Sequence, residues 1–192
     1  VRLMHDEAMA MPANVFVQMP SCVPSAPGLE NPGATLGPDE VREAMAYAMP
    51  YQKIMDVVLF GLANPMFGAA ADKATEVAWP QPTKYSTDMA KAKALLAEAG
   101  YANGFETTIS FDLNFAGVNE PLCVLTQESL AQIGIKCTIN KIPGATWRTE
   151  LNKKVLPLYT NVFSGWLDYP EYFFIWCYHG KNSIFNTMSY QS

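Results

Sequence analysis

The chain has 192 residues, 49% of them hydrophobic and 16% charged, with a formal net charge of −5 and a sequence pI near 5.0. That composition supports a core of ordinary size and excludes intrinsic disorder. Lys and Arg are scattered, with Lys153-Lys154 the one adjacent pair, which excludes an electrostatic footprint for nucleic acid.

No run is long enough to span a bilayer, which takes about 20 apolar residues. The longest apolar stretch, Ile54 to Ala63, is broken by Asp56 and Gly61. The chain opens on Val1 with no basic-then-apolar signal segment, so the expectation is a leader already removed or a fragment of a longer protein. Cys22, Cys123, Cys137 and Cys177 are far apart and form no CxxC pair, which argues against a zinc site or a thioredoxin-like motif. They read as buried or free thiols, with one disulfide left open in an oxidising compartment.

In chain order, residues 1–38 are punctuated by Pro12, Pro20, Pro24, Pro27, Pro32 and Pro38, and within them Asn14 to Met19 alone resembles a strand. A segment so rich in proline cannot build a core and reads as a connection from another structural unit. From Pro38 the signals become regular. Pro38-Asp39-Glu40 opens a helix whose Val41, Ala44, Met45 and Ala48 recur at helical spacing, and Pro50 ends it. A second helix, about Tyr51 to Phe60, is expected to turn Ile54, Val57 and Val58 inward and to stop at Gly61. Residues 62–87 read as a long loop with Pro65, Pro80 and Pro82.

The clearest helix follows: Thr87-Asp88 supplies a cap, Ala92, Leu95, Leu96 and Ala99 form an apolar stripe, and Gly100 closes it. Glu106 to Leu113 reads as a strand, Glu120 to Ile133 as a helix ending at Gly134, and Ile135 to Ile142 as a strand. A short helix at Ala145 to Lys153 and a strand at Pro157 to Ser164 complete an alternation of strands and helices expected of an α/β layer. The remainder, Leu167 to Ser192, is crowded with aromatics, among them Tyr169, Tyr172, Phe173, Phe174, Trp176 and Tyr178.

Five phrases, taken in order, carry a resemblance. They are Val41 to Ala48 (VREAMAYA), Ala90 to Tyr101 (AKAKALLAEAGY), Asn103-Gly104-Phe105, Leu130 to Lys136 (LAQIGIK), and Gly165-Trp166-Leu167-Asp168-Tyr169-Pro170. Together they resemble the family 5 extracellular solute-binding proteins, the dipeptide-, oligopeptide- and nickel-binding group of ABC importers, over about residues 38–190. The chain departs from the family at Met49-Pro50-Tyr51, where members continue with Ile or Thr, Asp or Asn, then Arg or Lys.

The resemblance implies an α/β fold: a periplasmic-binding-protein-like type II lobe, three-layer in kind, with a mixed sheet. On that reading residues 1–38 connect from the other lobe, and residues 39–192 form an incomplete C-terminal lobe of a Venus-flytrap protein. It further implies a peptide or similar small solute held in an inter-lobe cleft and delivered to ABC permease subunits. Localisation would be periplasmic, or outside the membrane on a lipid carried by an N-terminal segment not present here. No cofactor, metal or nucleic acid is expected.

Asp168 is the leading site candidate: it follows a strand end beside Trp166 and Tyr169, where a carboxylate can pair with a ligand ammonium. In peptide-binding relatives an Asp in this loop resembles the one that holds the peptide amino terminus. The structural alternative is a turn-capping Asp before Tyr169-Pro170. Trp166 and Tyr169 could offer flat apolar faces to varied side chains, or belong to the core. Trp147 and Trp176 fall on predicted helices and read as packing. His5 and His179 read as local hydrogen-bonding residues rather than metal ligands.

Catalysis finds no support, since G-x-S-x-G, HExxH and P-loop motifs are all absent. A reading of another class is an isolated α/β interaction module whose Tyr172, Phe173 and Trp176 dock a protein partner.

Overall fold

A computed structural model of the chain describes residues 2–3, 13–18, 39–64, 67–69, 81–153, 156–164, 170–173 and 175–176. Its centre is a mixed sheet of six strands: β1 (Arg2–Leu3), β2 (Ala13–Gln18), β3 (Ala63–Asn64), β6 (Glu106–Asp112), β7 (Lys136–Ile142) and β8 (Leu158–Ser164). They lie in the order β3-β1-β2-β8-β6-β7. β6 is parallel to both β7 and β8, whereas β2 runs antiparallel to β8. β4 (Phe67–Ala69) and β5 (Gln81–Pro82) pair in parallel as a separate two-stranded sheet. Three short strands therefore occupy part of the stretch expected to be loop.

Helices α1 (Asp39–Ala48), α3 (Met89–Glu98) and α4 (Ala116–Ala131) cover one face of the large sheet. Val41, Met45 and Ala48 of α1 and Ala92 and Leu96 of α3 pack with Ile109, Phe111, Cys123, Leu130 and Leu158 in one buried cluster. The alternation of β6 explains this placement, because Ile109 and Phe111 point one way and Ser110 and Asp112 the other. On the opposite face, α5 (Gly144–Asn152) brings Trp147 and Leu151 against Ile142 and Tyr159. Helix, sheet and helix thus form three layers.

The third helix is built as its sequence requires. Asp88 stands at the N-cap and its carboxylate accepts a hydrogen bond from the Lys91 N–H at 2.9 Å. At the other end the Tyr101 N–H donates to the Leu96 carbonyl (2.8 Å) and the Gly100 N–H to that of Ala97 (3.0 Å), the paired bonds of a left-handed glycine cap. Ile135 and Gly134 repeat the arrangement on the carbonyls of Leu130 and Ala131.

Two helices differ from expectation. α2 is a single turn, Tyr51–Lys53, that runs into a π-helical turn over Ile54–Val58, in which the Leu59 N–H reaches back to the Ile54 carbonyl at 3.2 Å. The extra residue in that turn rotates Val57 out to solvent while Ile54 and Val58 stay buried. α4 begins at Ala116, four residues before Glu120, and holds Pro121 in its second turn. A proline there removes one bond, that to the Gly117 carbonyl, early in a helix whose later turns are anchored in the core. Ser129 donates to the Ala48 carbonyl at 2.6 Å and so ties α4 to the end of α1.

Candidate functional site at the carboxyl ends of the parallel strands

Because β6, β7 and β8 run the same way, their carboxyl ends share one edge of the sheet. Asp112 of β6 is level with Ile142 of β7. Continuing the β6–β8 register from Ser110↔Tyr159 sets Asp112 level with Asn161, so β8 projects beyond β6 by its last three residues, roughly 10 Å. β2 supports that projection through the pairs Ala13↔Ser164 and Val15↔Val162. Carboxyl ends of parallel strands are where open α/β sheets gather ligands, since the chain leaves in loops there and helix amino ends converge.

The side chains on this edge follow from local rules. Asp112 is buried and its carboxylate accepts a hydrogen bond from the Asn114 N–H at 2.8 Å, which curls the chain into the 3-10 turn Leu113–Phe115. That turn presents Leu113 (42% exposed) and Phe115 (47%) to solvent. The Asn114 carboxamide lies against Gly144, at the start of α5, in the space a Cβ would occupy. Below, Trp147 donates to the Asn161 carboxamide at 3.4 Å and stacks edge-on against Tyr159, so α5 is fixed to β8 just under the edge. Lys141 and Glu120 form an ion pair at the rim. In α4, Asn119 is fully buried and neither atom of its amide has a hydrogen-bond partner among the described residues.

Among the described residues this edge combines apolar faces, a rim ion pair and buried polar groups. Among the described residues no cluster of His, Cys, Asp and Glu could bind a metal, and no helix is long and apolar enough to cross a membrane. Cys123 and Cys137 are free and buried, and burial pushes their thiols up to about 12 and about 11.

Asp168, Trp166 and Tyr169 lie outside the described residues, as do His5, His179, Cys22 and Cys177. Ser164, the last residue of β8, immediately precedes the segment that carries the three site candidates. Trp147 is packed as expected, but Trp176 stands 37% exposed with its ring tilted toward Tyr172, 6.3 Å between centroids. The sequence reading overlooked Asp112, Leu113, Asn114, Phe115 and Gly144. The signal was present in the Asp-x-Asn step after a strand, a pattern that closes a turn on its own backbone.

Comparison with known proteins agrees with this architecture. Residues 26–185 match the model of the bacterial extracellular solute-binding proteins, family 5 Middle. Over 115 residues, 60% of this chain and 22% of the relative, the sequence is 37% identical to the glutathione-binding protein GsiB of Salmonella choleraesuis. A stretch of 47 residues, 24% of this chain and 8% of the relative, is 70% identical to adenine deaminase 1 of Jannaschia sp.. Among solved structures, the periplasmic binding protein DppA of Helicobacter pylori in complex with the peptide STSA superposes with a TM-score of 0.69 at 22% identity, covering 93% of this chain and 35% of that one. The chain therefore spans less than a quarter of the curated relatives it matches and about a third of that structure. It belongs to the family 5 bacterial extracellular solute-binding proteins.

Proposed function

We propose that this chain is one lobe of an extracytoplasmic solute-binding protein that captures a peptide or similar small solute and hands it to the permease of an ABC importer. The observation that carries the reading is the family match over residues 26–185, joined to an edge of parallel strand ends with exposed apolar side chains. Relatives named for glutathione and for a bound tetrapeptide support the ligand class. In this reading residues 1–38 connect from the other lobe, with β1 and β2 pairing onto the sheet of residues 39–192. The cleft forms where that other lobe closes over the strand ends.

The segment after β8 supplies the contacts. Asp168 pairs with the ligand ammonium, and Trp166 and Tyr169 accept side chains of varied shape on flat apolar faces. The protein binds and releases its ligand unchanged. The stretch shared with adenine deaminases amounts to 8% of those enzymes, too little to bring a complete active site with it.

The test uses the full-length gene product. Small molecules released on denaturation are identified by mass, and titration calorimetry then compares a dipeptide with its N-acetyl form on the native protein and on Asp168→Asn. A charge-assisted bond contributes about 1.5–3 kcal/mol, so the substitution weakens the free-amine peptide by about tenfold or more and leaves the acetylated one nearly unchanged. Equal affinity of native and variant protein for the free amine would remove Asp168 from the site. Failure to bind any peptide would remove the ligand class.

A further inference from the structure

Away from the strand ends, the described residues leave an apolar corner uncovered. Val57, Phe60 and Leu62 are 54%, 78% and 65% exposed. Phe60 has φ 53° and Gly61 φ 70°, so two consecutive left-handed residues turn the chain out of the π-helical turn and hold the Phe60 ring clear of the protein. A bulky residue seldom adopts that backbone, and a displayed aromatic ring adds to the cost. Strain of this sort persists where a contact stabilises it.

The corner adjoins β3, which bonds to β1 and forms one outer strand of the sheet. The two edges of the sheet are treated differently. At β7, Lys136 pairs with Glu106 (3.6 Å) and Lys141 with Glu120, charges that discourage a further strand. From Val57 to Phe67, around β3, the sequence carries no charge at all.

We propose that the Phe60–Leu62 corner and the β3 edge form an intramolecular docking point, occupied in the full-length protein by polypeptide that lies outside these 192 residues. Relative lengths support that occupant, since 93% of this chain matches 35% of the DppA chain and most of such a protein is absent here. An uncharged edge with an aromatic anchor suits an extended apolar segment added alongside β3. The inference rests on family membership and not on the ligand reading, so an unchanged Asp168→Asn variant would leave it standing.

The experiment places a photoactivatable benzoyl group at position 60 (Phe60→p-benzoylphenylalanine) in the full-length gene product, irradiates it and maps the linked peptides. The expected result is a link within one molecule to a peptide outside residues 1–192. A link within residues 1–192, a link between two molecules that doubles the mass, or no link would each overturn the proposal, as would a native product with the 21.2 kDa mass of this chain. Phe60→Asp gives an independent readout. A covered corner loses about 3 °C or more in thermal midpoint in the full-length protein, whereas a solvent-facing one stays within about 1 °C.

Discussion

The two ends of the parallel strands obey opposite rules. At the amino ends of β6 and β7, Gly104 and Gly134 bring their backbones together, with φ of 70° and 88°, and a Cβ on Gly134 would lie 3.3 Å from the Gly104 Cα. At the carboxyl ends of the same strands, Leu113 and Phe115 stand in solvent and a glycine is filled by a neighbour's movable side chain. The first end is closed by main chain that cannot move aside; the second is lined by side chains that can. A sheet packed this way concentrates stability at one end and leaves the other free to change shape.

Substitutions at the two glycine contacts give the largest test of that contrast. Gly104→Ala places a Cβ into the Gly134 carbonyl and also imposes a left-handed conformation on alanine. It is expected to lower stability by about 3 kcal/mol or more, or to prevent folding, as measured by denaturant unfolding. A loss below about 1 kcal/mol would mean that the closed end yields as easily as the open one.

The buried thiols probe the protein between the ends. Cys137 sits near the start of β7 and Cys123 in the middle of α4, and burial holds both largely protonated. At pH 8 their reaction with an aromatic disulfide in the native protein should be slower than in the unfolded chain by about a hundredfold or more. The same groups fix the sign of an alkaline effect. Their folded values lie above the unfolded value, so above pH 9 the unfolded chain binds fewer protons and stability falls as pH rises toward 11–12. Rapid labelling of Cys137 at neutral pH would show that the closed end opens locally.

The smallest effect belongs to the open end. In Gly144→Ala the added Cβ meets the Asn114 carboxamide, the far end of a side chain that can rotate away, and alanine favours the helix by up to about 1 kcal/mol. The net change in stability should fall within about 0.5 kcal/mol, while ligand affinity in the full-length protein shifts as Asn114 moves. A loss matching that of Gly104→Ala would erase the distinction.

The closed end was easier to read in the sequence than the open one, and the reason is physical. The α3 stripe, its Asp88 cap and the stops at Gly100 and Gly134 are local signals, fixed within one or two turns of chain. The succession of strands and helices from Glu106 to Ser164 follows from similar patterns. The turn of Ile54–Val58 has no periodic signature, because a π-helical turn breaks the very spacing that sets Val57 inward. The helix expected from Glu120 begins at Ala116, a start that depends on the turn that Asp112 closes before it. Strand partners were not legible at all: the run Asn14 to Met19 resembles a strand but says nothing of the pairing of Ala13–Gln18 with β8. Of the site, the sequence points to the segment after a strand, and that strand ends at Ser164 as expected while the candidates themselves lie outside the described residues; the Asn114–Gly144 contact joins a 3-10 turn to the start of α5, which meet only in three dimensions.

The pairing of β2 with β8 also sets an order of events during folding. Glu106 meets Lys136 in the ladder of β6 and β7, but Gln18 must find Tyr159 and Ala13 must find Ser164. Closing so long a loop costs entropy that local contacts do not repay until the rest of the sheet exists. A chain made from its amino end therefore carries Ala13–Gln18 with its β8 side open, whatever pairing β1 supplies on the other, until Leu158–Ser164 has been synthesised. During that interval the early segment is what a holding chaperone would have to recognise.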